Sequence, residues 1–161
     1  MDTWTAIQIG CVTLFTGIAM ATDLRHRRIP NWLTVSSAFL GLVFHTATRG
    51  WEGVGQSLGG FAVGFGILLV LWLIGGGGGG DVKLMGAIGA WLGPKYTFGV
   101  FVLSVFFAIV CTGLVIVYGA IRNANTKNRS TNLLKKTIPY ALPCALSTWS
   151  VLFVMFLLSQ R

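Results

Sequence analysis

Two carboxylates dominate the chemistry available to this chain. It contains only four acidic residues, and two of them, Asp23 and Asp81, stand where long apolar stretches meet short basic or glycine-rich turns. An ionised carboxylate at an apolar boundary is costly unless it is solvated or paired. A chain this poor in acids that keeps two in such places has a use for them. Brought together, two carboxyl groups cannot both ionise readily, so one keeps its proton while the other gives it up. The ionised member can take a proton from water, and the neutral one can donate to a peptide carbonyl oxygen. That is acid–base hydrolysis of an amide. It needs no covalent intermediate and no metal, so no cofactor is expected.

The residues around the two acids fit this use. Asp23 opens the turn Asp23-Leu24-Arg25-His26-Arg27-Arg28-Ile29-Pro30-Asn31, and Asp81 closes an uninterrupted glycine run, Gly75 to Gly80, just before Val82-Lys83. Glycine adopts backbone conformations closed to other residues and lets another backbone come close. Gly78, Gly79 and Gly80 therefore suit a cleft that admits an extended peptide, and the run is expected to order on substrate binding. Blander roles exist for each part. Asp23 could be a solvated helix end offset by Arg25, Arg27 and Arg28. Asp81 could be a first-turn residue favoured by the helix macrodipole. A glycine run can be a linker, and Lys83 can meet lipid phosphate. His26 and His45 have no evident ligand set and read as non-catalytic. Cys11, Cys111 and Cys144 are widely spaced with no Cys-x-x-Cys pair, which gives no zinc site and suggests small buried apolar residues.

The elements that must position the acids are membrane spans. Of 161 residues, 54% are hydrophobic and 10% charged, against roughly 25% charged in soluble domains. The mean hydropathy is +0.75. Six apolar segments follow one another: Trp4–Thr22, Trp32–Thr48, Ser57–Ile74, Leu84–Leu92, Tyr96–Ile121 and Ile138–Ser159. The pattern predicts an all-α polytopic bundle of six transmembrane helices forming one domain over residues 1–161. The fourth segment is short. Counted from Asp81 to Pro94 it holds 14 residues, about 21 Å of helix against a hydrocarbon core of roughly 30 Å. It either re-enters or crosses where packing or bilayer thinning accommodates it.

Charge decides between these. With six crossings, nine of the twelve basic residues (Arg25, Arg27, Arg28, Lys83, Arg122, Lys127, Arg129, Lys135 and Lys136) fall on one side. By the positive-inside rule that side is cytoplasmic. Both termini are then outside, and both aspartates lie at the cytoplasmic face. The net charge of +8 belongs to these loops and to anionic headgroups rather than to nucleic acid. Gly60 with Gly64, Gly86 with Ala90, and Gly89 with Gly93 have the spacing of close helix contacts. Trp4, Trp32, Trp51 and Trp91 stand near span ends and read as interfacial anchors. The N-terminus lacks a basic region ahead of the first span, so that span is expected to stay as a helix.

Together the two segments resemble the type IV prepilin peptidase family. The first runs from Asp23 to Thr34 through Ile29-Pro30-Asn31. The second runs from Gly78-Gly79-Gly80-Asp81 through Val82-Lys83-Leu84 to Gly93 and matches the family's Gly-x-Gly-Asp motif. Ile138-Pro139-Tyr140-Ala141-Leu142-Pro143 is similar to the family's entry into its last helix. The resemblance implies an aspartic endopeptidase of the bacterial inner membrane with Asp23 and Asp81 as catalytic residues. Gly78, Gly79, Gly80, Lys83, Arg27, Pro30 and Asn31 are implied as motif or cleft residues. It implies a prepilin or pseudopilin substrate, cut at the cytoplasmic face, and contact with pilus assembly machinery. A span so close to the start, with no paired cysteines, resembles the short, peptidase-only form associated with Flp or tight-adherence pili, for which N-methyltransferase activity is not expected. Two other classes compete. A small proton- or cation-coupled transporter would also keep intramembrane acids, and a scaffold of a secretion machine would tolerate their loss.

Overall fold

The structure, a computed structural model, describes residues 3–75, 78–124 and 140–160. It is helical throughout: α1 spans Thr3–His26, α2 Asn31–Leu73, α3 Gly79–Ala124 and α4 Ala141–Ser159. Among the described residues, four helices are long and apolar enough to cross a membrane. Residues 125–139, which hold Lys127, Arg129, Lys135 and Lys136, an Asn128-Arg129-Ser130 sequon and the Ile138-Pro139 dipeptide, lie outside the described residues.

Two of the turns expected from sequence shrink to single glycines inside long helices. α2 has 43 residues, about 65 Å if straight. It is not straight, because Gly50 has φ 58° and ψ −135°, and α3 is broken in the same way at Gly93, φ 77° and ψ 170°. Positive φ is open to glycine at little steric cost, so one residue suffices to turn the chain. The turn at Gly50 is a reversal. A methyl group placed on Gly53 would overlap the His45 carbonyl, although eight residues of straight helix would hold the two about 12 Å apart. At Gly93 the reversal shows in Gly64, where a methyl group would lie 2.9 Å from the Met85 carbonyl carbon and 3.0 Å from Thr97 Cγ2.

The short first part of α3 is the hub. Its residues Leu84 to Leu92 are all buried, with Met85, Ala87 and Ile88 at 0% exposure. Both halves of α2 pack on it, the first parallel (Gly41 against Ala90, His45 against Trp91) and the second antiparallel (Ser57 against Ala90, Gly60 against Gly89). Such close approach demands small residues. A methyl group at Gly60 would overlap the Gly89 carbonyl oxygen, and one at Gly89 would overlap that of Gly60. α4 runs antiparallel to α1. Asp23, late in α1, meets Ala141 at the start of α4, while Thr16 accepts the Trp149 indole N–H at 3.0 Å. Val12, Phe15 and Ala19 of α1 and Ala141, Cys144 and Leu152 of α4 complete the core. Large apolar side chains such as Leu14, Phe39, Phe98 and Phe153 face outward.

Being enclosed by other helices explains how so short a segment fits. It also creates a problem at its far end. The last carbonyls of a helix lack intrahelical partners, and Pro94 has no N–H to offer Ala90 four residues back. Polar side chains from neighbouring helices supply the donors. Ser57 Oγ donates to the Ala90 carbonyl at 2.9 Å, His45 Nε2 to the Trp91 carbonyl at 2.8 Å, and Gln8 Nε2 to the same oxygen. Here the tryptophan expectation needs correction. Trp4, Trp32 and Trp51 are exposed, but Trp91 is 5% exposed, and its indole N–H donates to the Ser37 carbonyl at 2.8 Å. It is a core residue, because the segment carrying it ends inside the bundle. The cysteines also divide: Cys144 is buried, whereas Cys11 is exposed and Cys111 intermediate.

Candidate active site

Asp23 lies in the last full turn of α1 and is 7% exposed. The helix closes behind it with the Arg27 N–H on the Asp23 carbonyl at 2.7 Å, and Arg27 then leaves the helix at φ 51°. Left-handed backbone at a non-glycine residue carries a steric cost, so this turn is held by its surroundings. Asp23 Oδ2 accepts the backbone N–H of Ala141 at 3.2 Å. Ala141 opens α4, so the carboxylate sits at the positive end of that helix's dipole.

Asp81 sits in the first turn of α3. Its Oδ2 accepts the Gly78 N–H at 3.2 Å, while the Gly78 carbonyl accepts the Asp81 N–H at 3.0 Å. This reciprocal bonding follows the logic of a capping box, with the third helical residue reaching back to the N-cap amide. The same geometry constrains Gly78. A methyl group there would lie 3.0 Å from Asp81 Oδ2, whereas one on Gly79 or Gly80 would meet nothing closer than 3.8 Å. Gly78 is therefore tied to the placement of the Asp81 carboxylate, whereas a methyl group on Gly79 or Gly80 would make only ordinary van der Waals contact, with Trp72 and Ile29 respectively. Asp23 and Asp81, remote in sequence, lie near enough for their charges to act on each other.

The two turns are also joined directly. Lys83 Nζ donates to Asn31 Oδ1 at 2.9 Å, and the Ile29 side chain covers Gly80. Pro30 is the N-cap of α2, extended at φ −62° and ψ 132°, and its carbonyl accepts the N–H of Leu33 at 3.1 Å. The structure thus gathers Asp23, Pro30, Asn31, Gly78, Gly80, Asp81 and Lys83 at one end of the bundle. Arg27 is exposed on the rim. His45 does not belong to this end; it caps the break in α3.

Sequence reasoning passed over one part. The Tyr140 hydroxyl is hydrogen-bonded to Ser104 Oγ at 2.9 Å, and the ring is close enough to Asp81 to feel its charge. The single serine of the fifth apolar segment was the available signal. Among the described residues no group of three His, Cys, Asp or Glu side chains could hold a metal ion.

The apolar helical bundle thus brings two acids to one end, each against a backbone amide. The pattern of the type IV leader peptidase family matches residues 11–117, a stretch that contains both aspartates. The chain belongs to the type IV leader peptidase family. It is also 31% identical over 156 residues to the prepilin leader peptidase/N-methyltransferase of Xanthomonas campestris pv. campestris, covering 92% of this chain and 49% of that protein. The chain therefore spans about half the length of this relative.

Proposed function

We propose that this chain is a membrane-embedded aspartic endopeptidase that removes the leader of type IV prepilins or pseudopilins, with Asp23 and Asp81 as its catalytic residues. The observation that supports the reading is that these two carboxylates, each accepting a backbone N–H, lie at the same end of an apolar bundle. In the proposed reaction the ionised carboxylate takes a proton from water as the water oxygen bonds to the scissile carbonyl carbon. The protonated carboxyl donates to the carbonyl oxygen. The resulting tetrahedral diol collapses as a proton passes to the leaving nitrogen and the C–N bond breaks. The absence of side chains at Gly79 and Gly80 would let the extended substrate backbone come close.

The same proposal covers the setting. Reversals at Gly50 and Gly93 would make six crossings of the four long helices, in one transmembrane domain over residues 1–161. The aspartate end would face the cytoplasm and both termini the outside, in the bacterial inner membrane, with anionic headgroups against the basic turns. The distribution of basic residues and the contacts across both glycine turns support this. Labelling of single cysteines placed at Arg28 and Trp51 tests it: reagent from opposite sides should be needed, and labelling of both from one side would sink the topology.

The relative's name couples leader peptidase with N-methyltransferase. Only the former is proposed for this chain, since the matched family pattern is that of leader peptidases. The narrower substrate class, Flp-type pilins, comes from sequence resemblance. Co-expression with an Flp-type and a non-Flp prepilin tests both levels. Wild type should shorten the Flp precursor, whereas Asp23→Asn and Asp81→Asn should leave it intact. Ion flux in proteoliposomes without any precursor processing would favour the transporter reading instead.

A further inference from the structure

Ser104 is fully buried in an apolar stretch of α3, Phe101-Val102-Leu103-Ser104-Val105-Phe106. A hydroxyl in such a place is unfavourable unless it is bonded, and an alanine would bury no polar atom there. A serine has one hydroxyl proton, and Ser104 Oγ donates it to the Phe101 carbonyl at 2.8 Å. The 2.9 Å bond between Ser104 Oγ and the Tyr140 hydroxyl is therefore donated by the tyrosine. A directed chain of hydrogen bonds thus runs from Tyr140 through Ser104 into the main chain of α3.

Its other end adjoins an acid. Tyr140 is the N-cap of α4, with helical φ −64° and ψ −26°, and its side chain makes no cap bond. The first N–H groups of a helix lack intrahelical partners. Here the first helical bond runs from the Cys144 N–H to the Tyr140 carbonyl at 3.2 Å, and Pro143 has no N–H to satisfy. The Ala141 N–H goes instead to Asp23 Oδ2 at 3.2 Å. The Asp23 carboxylate is thus an outside cap on α4, and its partner's direction depends on where the first turn of α4 sits. Tyr140 is joined to the Ala141 amide by a single peptide unit, so a phenol held on α3 restricts that direction. A second bond of α4, from Trp149 to Thr16 at 3.0 Å, is eight residues further along, about 12 Å from Ala141.

We propose that Tyr140 and Ser104 are positioning residues of the peptidase site: their hydrogen bond fixes the start of α4 on α3 and so holds the Ala141 amide on the Asp23 carboxylate. The proposal rests on the reading of Asp23 as a catalytic residue. The two hydroxyls act through Asp23 and not on the substrate, so they serve the chemical step rather than the binding of the precursor.

The test compares wild type with Tyr140→Phe, Ser104→Ala, the double variant, Trp149→Phe and Asp23→Asn. Cleavage of a purified prepilin in proteoliposomes gives kcat and KM per folded molecule, and NMR in detergent micelles gives the exchange rate of the Ala141 N–H. Tyr140→Phe and Ser104→Ala should each lower kcat by roughly tenfold with KM nearly unchanged. The double variant should be no slower than either single, because both remove the same bond. Each single variant should also speed Ala141 exchange by at least about threefold. Trp149→Phe loses a bond between α4 and α1 away from the acids, and should keep wild-type kcat and Ala141 exchange. Wild-type kcat and exchange in Tyr140→Phe and Ser104→Ala, beside an inactive Asp23→Asn, would overturn the positioning role and leave the peptidase reading standing. Equal losses in Trp149→Phe would also overturn it, by reducing the Tyr140 bond to general packing. Wild-type cleavage by Asp23→Asn would overturn the peptidase reading itself, and the positioning role with it.

Discussion

The two ends of the bundle handle polar groups in opposite ways. At the break in α3, the side chains of Gln8, His45, Ser57 and Trp91 all bond main-chain carbonyls, and all are buried. At the aspartate end, each carboxylate accepts one backbone N–H from the described residues, where a carboxylate has room for about four such bonds. The first end is a set of caps for a helix that stops inside the bundle. At the second, the proposed reaction would use carboxylate oxygens to bind water and a peptide. In a chain this apolar, a polar residue alone says little. Whether its bonding capacity is used up distinguishes scaffold from chemistry.

This contrast can be broken from either side. The largest effect is expected at the acids. Asp23→Asn or Asp81→Asn should lower prepilin cleavage by at least about 10²-fold, with helicity by circular dichroism unchanged. Next is the hub: Gly60→Leu would drive a side chain into the Gly89 carbonyl, costing about 3 kcal/mol or more, read as loss of thermal stability. Gly78→Ala should lower the cleavage rate by roughly tenfold or more, because it displaces the Asp81 carboxyl from its place. Gly79→Ala, whose methyl group would meet nothing closer than Trp72 Nε1 at 4.0 Å, should change the rate less than Gly78→Ala does. Equal rates for the two alanine variants would detach Gly78 from Asp81 placement. Smallest is Ser57→Ala, which leaves the Ala90 carbonyl without its donor and should cost about 1–3 kcal/mol of stability. The rate per folded molecule should stay at the wild-type value. A fall in that rate would mean the two ends are coupled.

Much of this was legible in the sequence. The two acids, the glycine motif and the apolar spans rest on local composition, and close-packing glycines such as Gly60 declare themselves by spacing. The two turns were visible as well, but not that a single residue would make each. Positive φ at Gly50 or Gly93 leaves no loop-length signature. Gln8, His45 and Ser57 could not be assigned, because the carbonyls they satisfy belong to a distant segment and depend on where that segment ends. Trp91 was misplaced at the interface for the same reason: the end of its segment is enclosed by α1 and α2, and its indole bonds Ser37 of α2. Tyr140 and the Ala141 amide join the site only through the antiparallel packing of α4 on α1, which no periodicity within either helix reveals.

The most direct test of the central claim is single-turnover cleavage of a purified prepilin in proteoliposomes by Asp23→Asn, Asp81→Asn and the double variant. Residues acting as one unit are not additive. The account predicts that all three fall to the same background rate. Wild-type cleavage by either single variant, or a double variant far slower than both singles, would contradict it.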